Sequence, residues 1–229
     1  MYQNEKKEVI KAGMTLDRYE LIALSGGNIS LRVGDHVLVT PSGMIYEDMV
    51  EDDVLVVDLN GNIVEGNRKP SVDTSALLYI FRSDENIKAV IHTHQPYATA
   101  VGLVADELPC NLTTMANAVM GSVHVAPYTS TASEQMGIEA VNYLNGRLAV
   151  ILKHHGVIAV GKSLKQALYA CIYLEEAAKT YAIAKSFGGD MAMLTDDQIQ
   201  QAVDVFKYYG QNTPKYPGVA SNNEILIKQ

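Results

Sequence analysis

The stretch "AVIHTHQPY", Ala89 to Tyr97, carries the reading of the whole chain. Three apolar residues open it, two histidines one residue apart follow directly, and the start of the helical stretch "PYATAVGLV" closes it. Strand geometry sends alternate side chains to opposite faces, so His92 and His94 project together while Thr93 points away. Two imidazoles converging on one side fit either a packed interior or the first two ligands of a metal. The segments on either side have to decide between the two.

Working outward, the chain alternates elements. "SVDTSALLYIFRS" before the histidines reads as a helix, with Ser71 a candidate cap and Asp73 in the first turn, where the helix dipole favours a carboxylate. Upstream, "ISLRV" and "HVLVT" flank Gly34-Asp35 as a hairpin, and "DVLVVDL" with "GNIVEG" gives another strand, an Asn-Gly turn and a return. Residues 5–24 form a helix whose apolar stripe is Val9, Ile10, Met14, Leu21 and Ile22. Downstream, "PYATAVGLV" is helical, and "TASEQMGIEAVNYL" opens with Thr131 and Glu134 at capping-box spacing. "RLAVILKHH" and "GVIAVG" read as buried strands.

Two helices close the fold. One runs from Ser163 to about Phe187, with Ser163 and Gln166 boxing its start and Leu164, Ala167, Leu168, Cys171 and Ile172 on its inner face. The other begins at Thr195 with Gln198 and ends near "FKYYG". These elements predict an α/β fold in three layers, a central mixed and largely antiparallel sheet with helices on both faces. The expected organisation is one domain over residues 1–210 and a polar tail over 211–229.

Composition narrows the function classes. The chain has 229 residues, 48% of them hydrophobic, enough to bury one sizeable core. Its net charge is −8, and no basic cluster is interleaved with aromatics, so a nucleic-acid footprint is missing. Cys110 and Cys171 stand far apart, outside any thiolate metal pattern or disulfide framework. No apolar run is long enough to span a bilayer, and no signal core opens the chain. The expectation is a cytoplasmic protein whose partner is a small molecule, with no nucleic acid and no membrane.

"KHHG" supplies further candidate ligands. His154 and His155 lie at the end of an apolar strand, and adjacent strand residues point oppositely, so only one of the pair can join His92 and His94. A catalytic zinc site needs three protein ligands or a flexible fourth and an open position, and Asp73 is a candidate carboxylate. Three small polar turns, "SGGNIS", "TPSG" and "KPSVD", offer backbone N–H groups and hydroxyls suited to an anion such as phosphate. A metal oxygenase on a β-barrel would also use HxH with a distant histidine, but the long closing helices argue against a barrel.

The motifs "GGNIS", "TPSG", "KPSVD", "HTH", "APY", "HHG" and "YLEEAA", in this order and at these intervals, resemble the class II aldolase/adducin superfamily over nearly the whole chain. The resemblance implies a divalent metal, usually zinc, held by His92, His94 and His155, with Asp73 as the acidic ligand and catalytic base. It implies phosphate binding among Asn28, Ser42, Gly43 and Ser71, and a catalytic tyrosine at Tyr209, with Tyr208 beside it. It also implies a homotetramer with active sites at subunit interfaces.

The implied activity is an aldolase cleaving a ketose 1-phosphate, such as L-fuculose 1-phosphate, to dihydroxyacetone phosphate and an aldehyde through a metal-stabilised enediolate. The alternatives are L-ribulose-5-phosphate 4-epimerase chemistry and a noncatalytic adducin-like domain. Three positions depart from the family pattern: Val72 replaces a serine, Thr113 a tyrosine of the aldolases, and Asn117 an aspartate of the epimerases. An amide does not titrate near neutrality, which weighs against epimerisation.

Overall fold

The computed structural model describes residues 1–211 and 214. In chain order the elements are α1 (Gln3–Arg18), β1 (Asn28–Val33), β2 (His36–Val39), β3 (Leu55–Asp58), β4 (Ile63–Glu65), α2 (Thr74–Ser83), β5 (Ala89–Thr93) and α3 (Pro96–Val104). There follow β6 (Glu107–Leu108), α4 (Thr113–Val119), β7 (Val123–Ala126), α5 (Glu134–Leu144), β8 (Ala149–Leu152), β9 (Gly156–Gly161), α6 (Leu164–Phe187) and α7 (Asp196–Phe206).

Among the described residues nine strands make one sheet in the order β4-β3-β2-β1-β5-β9-β8-β7-β6. Neighbours run antiparallel except β7 and β8, which are parallel. This is the mixed, largely antiparallel sheet that the strand pattern predicts. The alternation of β5 divides the core. Ala89 and Ile91 pack with residues of α1, α3, α4 and α6, whereas Val90 packs with residues of α2 and α5. Helices cover both faces, so the three layers are present.

The sheet matters for function because several strands present their ends at one rim. Asn28, first in β1, is the register partner of His92 near the end of β5, and Thr93 is paired with Val157 at the start of β9. Strand β2 ends at the same rim. There the "TPSG" loop is tied to "KPSVD" by a bridge between Pro41 and Pro70, with Ser42 N–H donating to Lys69 O and Ser71 N–H to Thr40 O.

Four local expectations change. The first helix stops at Arg18, because Glu20 takes a left-handed φ of 59° and the chain turns back. Leu21 N–H bonds to Leu16 O and Glu20 N–H to Asp17 O, the paired bonds of a Schellman stop. Leu21 and Ile22 are buried beyond the helix end rather than on its stripe, and Met14 is exposed.

Ser71 does not cap α2. Asp73 occupies the N-cap position, Ser71 Oγ accepts from Asp73 N–H, and the Asp73 carboxylate leaves its own helix uncapped. The box expected from Thr131 and Glu134 is absent too. Ser133 holds the cap position of α5 and its hydroxyl donates to Ser130 O. Finally, β8 ends at Leu152, so His154 and His155 sit in the turn that follows rather than on the strand.

The Thr195–Gln198 box forms in both directions. Ser163 Oγ accepts from Gln166 N–H, while Gln166 Oε1 accepts from Lys162 N–H, one residue earlier than a strict box. On α6, Leu164, Ala167 and Cys171 are buried as expected, with Leu168 and Ile172 partly so. The segment from Glu107 to Val119 supplies β6 and α4, neither of which periodicity had marked. The 211–229 tail falls almost entirely outside the described residues.

Candidate active site

Backbone geometry delivers the three histidines. His92 is carried inward by β5 and is 1% exposed. His94, just past the strand, is held by its N–H bond to Leu21 O at 3.1 Å, which gives the buried turn after α1 a purpose. The β8–β9 turn places His154 at φ 61°, and His155 N–H bonds back to Leu152 O. His155 then turns toward His92 and His94, while the ring of His154 faces Tyr128 at 6.3 Å. The choice between the two neighbours is made by a turn, not by strand alternation.

The imidazole nitrogens of His92, His94 and His155 lie within 4.8 Å of one another. Ring centroids are 4.6 Å apart for His92 and His155, 4.8 Å for His92 and His94, and 5.4 Å for His94 and His155. His92 Nδ1 donates to Val157 O at 2.9 Å, which leaves its Nε2 as the lone-pair nitrogen, facing His94 Nε2 3.0 Å away. Two nitrogens on a tetrahedral ion with bonds of about 2.0–2.1 Å stand ~3.3 Å apart, so the pair is close to the spacing an ion would impose.

Electrostatics favour the neutral, ligating form. Burial first, then repulsion by the imidazoles of His155 and His94, lowers the pKa of His92 to about 3. Burial also lowers His94 and His155, against the pull of the nearby Asp73 carboxylate. Neutral imidazoles, an orienting carbonyl behind one of them and an exposed flank at His94 meet the requirements of a divalent-metal site open to a ligand.

Small residues keep that flank clear. A Cβ added to Gly26 would stand 3.0 Å from His94 Nδ1, and one added to Gly156 would press on Thr93 O at 2.1 Å. Glycines in "SGGN" and "HHG" thus let backbone approach the histidines.

Asp73 lies beside the trio but outside the group whose nitrogens converge. It is 6% exposed, its Oδ2 accepts from Asn28 Nδ2 at 2.9 Å, and its Oδ1 accepts from Ala132 N–H at 3.3 Å. Asn28 is among the phosphate-binding candidates, yet its amide N–H is turned onto Asp73, and its Oδ1 is buried without a partner among the described residues. Ser42, Gly43 and Ser71 meet in the tied loops, with Gly43 at φ 72° and open space around it. Val72 is exposed.

Tyr209 lies elsewhere in its own chain. It is 71% exposed, stacks on Phe206 at 5.1 Å, and lines a cavity of about 490 Å³ with Asn117, Lys162, Ser163, Lys165 and Tyr169. Lys162 and Ser163 follow the end of β9 opposite to His155, so a strand length of roughly 20 Å separates this tyrosine from the histidines. Asn117, another departure from the family pattern, shares that cavity. Missed by sequence reasoning were the Ala132 N–H and the orienting role of Asn28, since neither leaves a periodic or motif signal.

Residues 7–182 match the model for the class II aldolase and adducin N-terminal domain, and the chain belongs to that family. It is 33% identical over 213 residues to 5-deoxy-D-ribulose 1-phosphate aldolase of Bacillus thuringiensis serovar kurstaki, covering 92% of this chain and 99% of that protein. It is 29% identical over 204 residues to L-fuculose phosphate aldolase of Escherichia coli K12, covering 89% and 94%. A solved L-fuculose 1-phosphate aldolase superposes with a TM-score of 0.84 at 33% identity, covering 89% of this chain and 96% of that one. Among the described residues, no helix is long and apolar enough to cross a membrane.

Proposed function

We propose that the protein is a divalent-metal ketose-1-phosphate aldolase that releases dihydroxyacetone phosphate and an aldehyde. The observation carrying this reading is the convergence of three neutral imidazoles at the sheet rim beside a buried carboxylate whose two oxygens are both held. His92, His94 and His155 would hold the ion, zinc in our reading, with Asp73 as a further ligand or adjacent base. A divalent ion bound there supplies Lewis-acid polarisation of a ketose carbonyl.

The residues divide the remaining work. In the cleavage the hydroxyl on carbon 4 loses its proton, the bond between carbons 3 and 4 breaks, the aldehyde departs and carbon 3 gains a proton. We assign the proton at carbon 3 to Asp73, whose orientation Asn28 and Ala132 preserve. Ser42, Gly43 and Ser71 would take the phosphate through hydroxyls and backbone N–H groups. We assign the proton on the oxygen of carbon 4 to Tyr209 of a neighbouring copy in a homotetramer, since its own histidines are a strand length away.

The names of the relatives support a short 5-deoxy or 6-deoxy ketose 1-phosphate as substrate. Two buried free thiols, Cys110 and Cys171, fit a reducing cytoplasm. The experiment is a panel of 5-deoxyribulose, fuculose and related ketose 1-phosphates with zinc-loaded protein, read by triose phosphate release. No release from any of them, together with interconversion of ribulose and xylulose 5-phosphates, would replace the aldolase by the epimerase.

A further inference from the structure

The two histidines of "HTH" are held by different means. His92 has its own ring bond to Val157 O, so its aim is set directly. His94 has no ring bond to the protein among the described residues beyond its approach to His92, and its ring is exposed. Its direction therefore depends on the backbone that carries it. On the upstream side, the His94 N–H is pinned to Leu21 O. The downstream side is where α6 enters.

Glu175 of α6 is 7% exposed, and its carboxylate accepts two backbone N–H bonds, from Tyr97 at 2.8 Å and from Ala98 at 2.9 Å. These are orphan donors of the first turn of α3, which lacks a side-chain cap of its own. One turn earlier on α6, the Cys171 carbonyl accepts from Gln95 Nε2 at 3.3 Å, and the Gln95 carbonyl oxygen of the side chain receives the Thr93 hydroxyl at 2.6 Å. Gln95 is fully buried. The residues on both sides of His94, Thr93 and Gln95 to Ala98, are thus fastened to one face of α6.

A buried carboxylate is costly to keep unless its hydrogen bonds are worth more than the water it gave up. Glu175 has no ion pair among the described residues; Lys179, a turn further on, extends over the Tyr97 ring at 5.9 Å instead. Burial pushes its carboxyl up and the two N–H bonds pull it back. A neutral side chain of similar size would fill this place at lower cost if packing were all that was required. The cost is matched instead by two bonds to the residues three and four positions beyond a candidate ligand.

We propose that Glu175, acting with Gln95, is a positioning residue that sets the aim of His94 by clamping the start of α3 to α6. The inference rests on the metal reading above. It assigns to the "LEE" segment of α6 a task at the metal site, although Glu175 touches neither the ion's ligands nor the substrate.

The test titrates the metal-free full chain with Zn2+ against a chromophoric chelator and records the visible absorption of the Co2+-loaded protein. Glu175→Ala removes both bonds, and Glu175→Gln, which keeps one acceptor and sets an NH2 group against the other donor, guards against loss of the fold. Leu174→Ala, an adjacent and fully buried position, matches the loss of packing without touching α3's cap.

Zinc affinity is expected to fall about 10-fold in Glu175→Ala and by less in Glu175→Gln, with shifted Co2+ bands in both and kcat reduced more than KM rises. Leu174→Ala should lower Tm while its affinity and Co2+ bands stay as in the parent. Unchanged affinity and bands in the Glu175 variants, or equal changes in Leu174→Ala, would overturn the positioning role and leave the metal reading standing. A parent protein that binds no zinc would remove both.

Discussion

Asn28 and Asp73, 45 positions apart, are joined by a 2.9 Å hydrogen bond from the Asn28 amide to Asp73 Oδ2. The carboxylate of Asp73, released from capping its own helix, is held instead between this amide and the Ala132 N–H. Asn28→Ala should therefore lower kcat by about 10²-fold by letting the carboxylate turn, with a smaller effect on zinc affinity. Asn28→Asp should be worse, because a second carboxylate would face the first. Equal kcat for Asn28→Ala and the parent would show that Asp73 needs no such support.

Neighbouring histidines should behave differently. His155→Ala removes one of three converging candidate ligands and should abolish stoichiometric zinc and at least about 10³-fold of the activity. His154→Ala should leave zinc content unchanged, since that ring faces Tyr128. His154→Gly should raise Tm slightly, because the position needs a left-handed φ of 61°. Metal analysis and calorimetry on the three variants decide this.

The loops proposed to hold the phosphate can be probed without touching the histidine cluster. Gly43→Ala meets open space but must adopt φ 72°, a strain of about 1 kcal/mol that the loop can relieve by moving. KM for the sugar phosphate should rise several-fold more than kcat falls, and Ser71→Ala should act in the same direction. An unphosphorylated ketose should not distinguish these variants from the parent. If KM for the phosphorylated sugar were unaffected by both changes, the phosphate would bind elsewhere.

Proton binding gives a signed prediction for stability. His92 titrates near 6.5 when unfolded and at about 3 when folded, so below 6.5 the unfolded chain takes up a proton that the folded chain refuses. The metal-free protein should lose stability as pH falls below 6.5. His92 alone contributes a slope of about 1.4 kcal/mol per pH unit down toward its folded value and none above 6.5. His94 and His155 act in the same direction. Urea midpoints at about pH 7 and about pH 5.5 should differ less in His92→Asn than in the parent; the same difference in both would refute the assignment.

Much of this was legible along the chain. The apolar run before His92, the proline at the head of α3, the Asn-Gly turn between β3 and β4 and the box at Thr195 are contiguous signals, and each produced its element. The end of α1 was not legible, because the left-handed stop falls on Glu20, where a glycine would have marked it. Nor was the cap of α2, because Asp73 looks like an ordinary helix-start aspartate until its carboxylate is seen turned away.

By itself the sequence determined the period of most elements, the residue types suited to holding a cation and the loops proposed to hold an anion, because these depend on neighbours a few positions apart. The tertiary structure alone decided that His155 and not His154 joins His92 and His94, that Asn28 holds Asp73, and that Tyr209 lies at the far end of the sheet. Those outcomes come from hydrogen bonds and turns joining residues tens of positions apart, and such contacts follow from how the strands stack rather than from any repeat in the chain.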